Sequence, residues 1–190
     1  MEQCLDALGG NNTLDLRSGY HQVAMDPRDK EKTSFICHMG SFCFRTMPMG
    51  LVNPGATFQR LMDIVMSGLL YDKCLVYLDD IIVFSPDYDT QLDNLEAVLR
   101  RLMEYGLKLK ASKCKLFQKR VSFLGHVISA DGVETDPEKT KAIDEWATPT
   151  NVSEVRSFLG ICGYYRRFIK DYAEVSFPLS NLLRKSVRFK

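Results

Sequence analysis

The chain has 190 residues, 45% of them hydrophobic, enough for one sizeable domain or two small ones with an ordinary core. No apolar run approaches the ~18 to 20 residues that span a bilayer, and the first ten residues lack the features of a secretory signal, so we expect an intracellular protein without a membrane anchor. The net charge of +1 hides an asymmetry, because residues 1–100 carry 8 Lys and Arg against 14 Asp and Glu, whereas residues 101–190 carry 17 against 10.

The first half predicts a short strand, a hairpin and a helix. Thr13–Leu16 has the pattern of a strand with one acid, Asp15, and Ser18-Gly19 ends it before Tyr20–Met25 resumes an extended pattern. A hairpin is predicted over 33–45, with its bend at Met39, Gly40 and Ser41. Asn53 and Pro54 are typical of a helix start, and the helix should run to about Leu70. Its predicted apolar face consists of Phe58, Leu61, Met62, Val65 and Met66.

The six cysteines are scattered and show no CxxC spacing, so we expect reduced, buried thiols. They are Cys4, Cys37, Cys43, Cys74, Cys114 and Cys162. Cys37, His38 and Cys43 come nearest to a zinc cluster, but the alternation around them favours the hairpin.

The stretch CLVYLDDIIVFS, Cys74 to Ser85, places Asp79 and Asp80 between two apolar runs. Two residues between strands are typical of a β-hairpin turn, and Asp tolerates the positive φ that such turns demand. However, two like charges at the tip of a buried hairpin repel each other unless a cation lies between them. The stretch alone therefore leaves two interpretations, turn formers or metal ligands.

A helix and a basic segment follow the hairpin. Thr90 is predicted to cap a helix that ends at Gly106, with Leu92, Leu95, Leu99 and Leu102 at helical spacing. The thirteen residues from Lys108 to Arg120 contain six basic residues and no acid. Such a segment is either a solvated face or a phosphate-binding surface.

The last third changes from strand to helix signals. Val121 to Ser129 alternates like a strand around Gly125, and a turn is predicted at Ala130-Asp131-Gly132. Helices are predicted from Asp136-Pro137 to Trp146 and from Asn151 to Ile169. The boundary between a mixed sheet domain and a helical domain therefore falls near 132–136.

Three carboxylates can meet if the strand with Asp15 lies beside the hairpin with Asp79 and Asp80. Carboxylates on strands make a hard oxygen site suited to Mg²⁺, which prefers a few carboxylates and substrate phosphates. Two such ions can activate an attacking hydroxyl and stabilise the leaving oxygen of a phosphoryl transfer. A basic half joined to this acidic half favours an enzyme that acts on a polyanion.

Seven segments in this order resemble the reverse transcriptases of gypsy-like LTR retrotransposons and their retroviral relatives. They are TLDLRSGYHQVAMDP, FRTMPMGLVNPGATFQRLM, YLDDIIVFS, GLKLKASKCKLF, FLGHVIS, PEKTKAIDEWATP and VRSFLGICGYYRRFI. The resemblance implies an α+β fold: a palm with a mixed or antiparallel sheet and helices on one face over 1–132, with partial fingers, and a helical thumb with the start of the next segment over 133–190.

The resemblance also implies a role for several residues. Asp15, Asp79 and Asp80 would hold two Mg²⁺ ions, for which Mn²⁺ can substitute, and the Leu16 backbone would contact the metal and the triphosphate. Tyr20 matches a steric gate, Met49 and Gly50 lie where the family contacts the nascent base pair, and Lys113 aligns with a lysine that protonates leaving pyrophosphate. The primer grip would be Leu124, Gly125 and His126, and the nucleic-acid backbone would contact Lys108, Lys110 and Lys115.

Three of these assignments have plainer alternatives. Tyr20 could be a core aromatic, Lys113 a simple phosphate contact and His126 an ordinary half-buried strand residue. The chain also departs from the family, which usually has MPFGL and NAP where this sequence has MPMGL and NPG.

The implied function is RNA-directed DNA polymerase, adding deoxynucleotides to a primer 3′-hydroxyl on an RNA or DNA template. Because Asp15 lies only fourteen residues from the start, we expect most of the fingers to be missing and catalysis to be incomplete. Alternatives are a domesticated relic that binds nucleic acid without polymerising, and an interaction module. We expect the cytoplasm or a retrotransposon particle as the location, and association with itself or with polyprotein domains absent from this chain.

Overall fold

The computed structural model describes residues 10–129, 131–184, 187 and 189. It contains two compact units, each treated separately below. The first consists of the chain up to Phe123 together with Ile128–Gly132. The second consists of Leu124–Val127 together with the chain from Val133 onward. Strands dominate the first and helices the second, as the predicted α+β class requires; the names palm and thumb stay predictions.

Strands and helices follow one another in short segments. In the described residues the strands are β1 (Gly10–Asp15), β2 (Phe35–Cys37), β3 (Gly40–Phe42), β4 (Cys74–Tyr77), β5 (Asp80–Ser85), β6 (Lys115–Gln118), β7 (Arg120–Phe123), β8 (His126–Ser129) and β9 (Gly132–Thr135). The α-helices are α1 (Pro54–Val65), α2 (Tyr88–Glu104), α3 (Pro137–Asp144), α4 (Val152–Tyr164) and α5 (Tyr172–Leu182). Short 3-10 helices occupy Gly19–Gln22, Lys30–Thr33, Ala111–Lys113 and Arg166–Phe168.

The main sheet has the order β4-β5-β1-β6, and its paired strands are antiparallel. Strand β5 is buried along its length after Asp80, which explains its continuous apolar run. Because β1 pairs with β5 from Gly10↔Ser85 to Asp15↔Asp80, the carboxyl end of β1 lies at the hairpin tip. The first strand therefore lies beside the hairpin, as the sequence predicted.

Helix α1 buries the apolar face predicted for it. Phe58, Met62 and Val65 are fully buried in the core, as is Met66 just after the helix, and Leu61 packs against them. Asn53 and Pro54 are the N-cap and first residue, as predicted. The helix ends at Val65 and not near Leu70, because the chain turns through Gly68, whose φ is +79°.

Helix α2 differs from its prediction at its start and on one face. Its N-cap is Asp87 and not Thr90, since the Asp87 carboxylate accepts from the Thr90 amide. Leu95 and Leu102 are buried as predicted, whereas Leu92 and Leu99 are exposed. The buried stripe runs instead through a set that includes two polar residues: Gln91, Asn94, Leu95, Val98 and Leu102.

Three local predictions, for an extended segment, a hairpin bend and a strand, were wrong. Tyr20–Met25 is not extended throughout, because Gly19–Gln22 forms a 3-10 helix after Ser18, whose φ is +51°. In the first hairpin Cys37 pairs with Gly40, so the bend is at His38 and Met39. The predicted single strand 121–129 is two strands, β7 and β8, joined at Leu124 and Gly125.

The second unit contains the two predicted helices as α3 and α4, and it also contains α5, which was not predicted as a separate helix. Asp136 and Asn151 are N-caps whose side chains accept from the amides of Glu138 and Glu154. Helix α3 ends at Asp144, slightly before Trp146, and α4 ends at Tyr164, before the 3-10 helix that reaches Phe168. Of the turn predicted at 130–132, Ala130 lies outside the described residues and Gly132 begins β9.

The described cysteines are free thiols, as expected, but not all are buried. Cys74 and Cys162 are buried, Cys37 and Cys114 are half-buried, and Cys43 is exposed. Cys4 lies outside the described residues. In the part of the chain that the structure describes, we find no helix long and apolar enough to span a membrane.

Candidate active site

The turn between β4 and β5 consists of Leu78 and Asp79, because Tyr77 pairs with Asp80. The prediction that Asp79 and Asp80 form the turn is therefore wrong by one residue: Asp80 is the first residue of β5. Leu78 takes the left-handed conformation with φ +51°, which costs roughly 1 kcal/mol for a residue with a Cβ. Hydrogen bonds from outside the hairpin support this turn, since the Leu16 amide donates to the Asp79 carbonyl at 3.2 Å.

Asp15 and Asp80 are directly opposite each other in the β1–β5 pairing. Side chains at such positions have Cβ atoms about 5 Å apart. Because Asp79 immediately precedes Asp80, all three predicted carboxylates belong to one end of the sheet. Like charges this close destabilise the ionised forms.

The pKa values of Asp79 and Asp80 reflect this crowding. Burial raises the pKa of Asp79 most, followed by the charges of Asp15 and Asp80, while the Gly19 amide and Lys113 lower it. Asp80 is exposed as a residue, yet the loss of water around its carboxyl and then the charge of Asp15 raise its pKa, against a lowering effect of Lys113. The site is thus short of positive charge.

Lys113 is the cation that the structure places beside the carboxylates. It lies in the 3-10 helix Ala111–Lys113, and its Nζ donates to Asp15 Oδ2 at 2.9 Å. This hydrogen bond, followed by the charge of Asp15, raises the pKa of Lys113. Since the Lys113 side chain is 56% exposed, the ion pair can open to another partner at low cost.

Gly19 packs next to Asp79, and Tyr20 follows it in the chain. A Cβ at Gly19 would lie 2.2 Å from Asp79 Oδ1 and 2.7 Å from Phe58 Cζ, so only glycine fits there. The Tyr20 ring meets the Phe58 ring edge to face, with centroids 5.4 Å apart. Tyr20 is half-buried, which suits both a core aromatic and a ring that borders a nucleotide site.

The donor set fits a divalent cation. Asp79 Oδ1 is buried without a hydrogen-bond partner, and an orphaned carboxylate oxygen among like charges is the donor that Mg²⁺ prefers. Nevertheless, within residues 10–129, 131–184, 187 and 189 no group of three His, Cys, Asp or Glu side chains is already arranged to hold a metal ion. The carboxylates are therefore coupled in charge without forming a finished cage.

The basic segment runs alongside the end of β1. Leu16 pairs with Leu109, the Arg17 amide donates to the Lys108 carbonyl, and the Lys110 amide donates to the Asp15 carbonyl, both at 2.8 Å. The side chains of Lys108, Lys110 and Lys115 are exposed. The structure thus places the predicted phosphate-binding lysines next to the strand that carries Asp15.

Met49 and Gly50 form an exposed turn before α1. Met49 is 73% exposed and Gly50 has φ +89°, a conformation that favours glycine. Their predicted contact with the nascent base pair stays a prediction.

The predicted primer grip lies in the second unit as the turn between β7 and β8. Leu124 and Gly125 have φ +48° and +71°. The Tyr164 hydroxyl donates to the Leu124 carbonyl, and the Tyr165 hydroxyl donates to the Gly125 carbonyl at 3.0 Å. His126 packs on Tyr164, Tyr165 and Phe168, with ring centroids 5.3 to 5.7 Å apart.

Several side chains that were not predicted stabilise the backbone of the site through hydrogen bonds. Gln59 on α1 accepts from the Leu78 amide at 2.8 Å. Gln22 bonds to the Arg17 and Lys108 carbonyls and to the Lys108 amide, at 2.7 to 2.9 Å. No sequence pattern marks a glutamine that bonds to backbone far along the chain. The tyrosine pair was visible in GYYRRFI but had no assigned role.

Comparison with known proteins identifies the family to which this fold and its acidic centre belong. The sequence pattern of the reverse transcriptase (RNA-dependent DNA polymerase) family matches residues 11–128. The chain belongs to the reverse transcriptase family. Members of this family generally use divalent metal ions.

The similar relatives come from retrotransposons. The chain is 41% identical over 191 residues to the retrovirus-related Pol polyprotein from transposon 297 of Drosophila melanogaster, covering 99% of this chain and 18% of the relative. It is 46% identical over 172 residues to the retrovirus-related Pol polyprotein from transposon opus of the same species, and the match covers 90% of this chain and 17% of the relative. The predicted resemblance to LTR retrotransposon reverse transcriptases is confirmed, and the chain spans less than a fifth of these relatives.

A solved structure confirms the fold. The foamy viral protease-reverse transcriptase in complex with double-stranded DNA has a TM-score of 0.86 and 24% identity, and the match covers 98% of this chain and 32% of that one. At this identity the likeness shows the fold alone.

Proposed function

We propose that this chain carries the polymerase centre of a retrotransposon reverse transcriptase, which adds deoxynucleotides to a primer 3′-hydroxyl on an RNA or DNA template. The observation that carries the proposal is the direct pairing of Asp15 with Asp80 beside the orphaned oxygen of Asp79. Besides burial, the charge of Asp15 raises the pKa of Asp79 and that of Asp80, and carboxylates under such repulsion need a cation to stay ionised together.

Asp15, Asp79 and Asp80 would hold two Mg²⁺ ions, with Mn²⁺ as a substitute. When bound, such ions activate the attacking hydroxyl and neutralise charge on the transferred phosphate. The Leu16 amide already donates to the backbone carbonyl of Asp79. The Leu16 backbone would therefore contact a metal ion through its own carbonyl oxygen. Repulsion among the carboxylates would be relieved on binding.

The other site residues bind and orient. Lys113 would leave Asp15 for the triphosphate and donate its proton to the departing pyrophosphate. Tyr20 would exclude a ribose 2′-hydroxyl, and Met49 with Gly50 would contact the nascent base pair. Lys108, Lys110 and Lys115 would bind backbone phosphates, while Leu124, Gly125 and His126 would contact the primer. Such a protein would work in the cytoplasm or in a retrotransposon particle.

The test is single-nucleotide incorporation with Mg²⁺ or Mn²⁺ on a primed RNA template. Asp80→Asn should lower kcat by at least about a hundredfold, because it removes a charge-stabilising group from the transition state. Asp93→Asn, at an exposed position on α2, is the control and should retain activity. Activity of Asp80→Asn equal to that of the control would contradict the catalytic assignment.

A second candidate is nucleic-acid binding without polymerisation. It is favoured by the ion pair in which Lys113 already neutralises Asp15, and by the lack of a finished three-residue metal cluster within the described residues. Tight, salt-dependent primer–template binding without Mn²⁺ binding or incorporation would select this function.

A further inference from the structure

Gln59 connects helix α1 to the tip of the hairpin that carries Asp79. The Leu78 amide donates to Gln59 Oε1 at 2.8 Å, and Gln59 Nε2 is within 3.5 Å of the Val76 carbonyl. The same Nε2 donates to Asp63 Oδ1 at 2.9 Å, one helical turn further along α1. Because an amide has a distinct donor end and acceptor end, the contact with Asp63 fixes which end faces Leu78.

The Leu78–Asp79 turn needs external support. Leu78 has a positive φ, which is unfavourable for a residue with a Cβ. Neither Leu78 nor Asp79 belongs to a strand, so their backbone groups are outside the β4–β5 ladder. Two hydrogen bonds from other parts of the chain hold this turn: Gln59 accepts from the Leu78 amide, and the Leu16 amide donates to the Asp79 carbonyl.

The position of this turn decides where the Asp79 carboxylate lies. That carboxylate fits against Gly19 so closely that an added Cβ would lie 2.2 Å from Oδ1. A small rotation of the turn would therefore move Asp79 out of its place beside Asp15 and Asp80. A displacement of about 1 Å is enough to impair a metal or catalytic site.

We propose that Gln59 is a positioning residue, which holds the Leu78–Asp79 turn so that the Asp79 carboxylate stays in register with Asp15 and Asp80. Its action on metal binding depends on the proposed function, whereas its action on the turn does not. Gln59 acts only through the backbone and touches no reacting group.

The test compares Gln59→Met with the wild-type chain. Methionine has a similar length but cannot replace the hydrogen bonds, so the Leu78 amide should exchange with solvent about tenfold faster, the loss expected for one such bond. Nuclear Overhauser contacts between the Gly19 Hα and Asp79 Hβ protons should weaken. The Mn²⁺ dissociation constant, measured by electron paramagnetic resonance, should rise by about tenfold as Asp79 leaves its position.

Two further variants separate positioning from general destabilisation. Gln91→Met removes another glutamine that donates to a strand carbonyl, that of Val83 at 2.9 Å, and should lower global stability without selectively exposing the Leu78 amide. Gln59→Glu keeps an acceptor for Leu78 but repels Asp63, so the double variant Gln59→Glu, Asp63→Asn should restore slow Leu78 exchange and the Gly19–Asp79 contacts.

The proposal fails if Gln59→Met leaves the Leu78 exchange rate unchanged, or if exchange accelerates while the Gly19–Asp79 contacts stay intact. It also fails if the wild-type chain binds Mn²⁺ and the variant binds it equally well. If the wild-type chain binds no Mn²⁺, the proposed function is wrong, and the exchange rate and the Gly19–Asp79 contacts alone decide whether Gln59 positions Asp79.

Discussion

Gly19 leaves no room for a side chain beside Asp79. Gly19→Ala should destabilise the chain by about 1 to 3 kcal/mol, because the new methyl would overlap Asp79 Oδ1 and the Phe58 ring. The free energy of unfolding in urea measures this effect.

Gly160→Ala is the matched control for this glycine. Gly160 is exposed within α4 with open space around its Cβ position, so this variant should gain about 0.5 to 1 kcal/mol from helix propensity. Equal stability changes for the two variants would contradict the close approach of Gly19 to Asp79.

Because the pKa of Asp79 is raised, the free energy of unfolding should depend on pH. Its folded-state pKa lies above 3.8, the usual pKa of an aspartate, so ionisation destabilises the fold at pH values above that raised pKa. Asp79→Asn removes this cost and should be more stable than the wild-type chain at neutral pH in chelator. As the pH falls through the folded pKa toward 3.8, the wild-type carboxyl becomes protonated and the difference should shrink.

Urea unfolding of both chains at pH 7 and near pH 4, with a chelator present, is the measurement. A gap between the two chains that is the same at both pH values would show that neither burial nor neighbouring charge makes ionised Asp79 destabilising in the folded state.

At the scale of the element, the turn between β7 and β8 depends on two tyrosines. Tyr165 is only 4% exposed, and its hydroxyl donates to the Gly125 carbonyl, which also accepts from the Asp136 amide at 3.3 Å. Tyr164→Phe with Tyr165→Phe should lower stability by about 1 to 3 kcal/mol, since two hydrogen bonds are lost. If the turn is the primer grip, primer–template affinity should fall as well.

Tyr172→Phe is the control for this pair, because its hydroxyl makes a longer 3.4 Å bond to the Leu159 carbonyl in the same unit. Thermal unfolding and a binding titration provide the two readouts. A double variant as stable as this control would show that the hydroxyls do not support the turn.

The elements that could be predicted from the sequence are those whose own pattern decides their structure. The face of α1 follows a 3.6-residue period, and Phe58 and Met62 are buried as that period requires. The β4–β5 turn was misplaced because Gln59 and Leu16, remote in sequence, stabilise Leu78 and Asp79 as its corner. Asp15, Asp79 and Asp80 could be named as candidates because acids within apolar strand sequence are costly without a purpose, whereas a glutamine such as Gln59 carries no such signal.

At the scale of the whole molecule, the acidic and basic halves of the sequence meet near β1. Lys108 and Lys110 lie on the segment that pairs with the end of that strand, and Lys115 begins β6, its other neighbour. Lys113 belongs to the same segment but is engaged by Asp15. The exposed lysines at 108, 110 and 115 are therefore the ones available for phosphates independently of the acidic centre.

Replacing Lys108, Lys110 and Lys115 with Gln should weaken primer–template binding about equally for all template sequences, because phosphate contacts supply affinity without reading bases. Each lost phosphate contact should reduce the slope of log K against log salt by roughly 0.9, so the triple variant should lose about 2 to 3 from the slope. The control replaces Arg60, Lys73 and Arg100, which lie on α1, before β4 and on α2, and changes the net charge equally. If both triple variants show the same slope, long-range charge accounts for the effect; if only the first differs, the segment beside β1 contacts the nucleic acid directly.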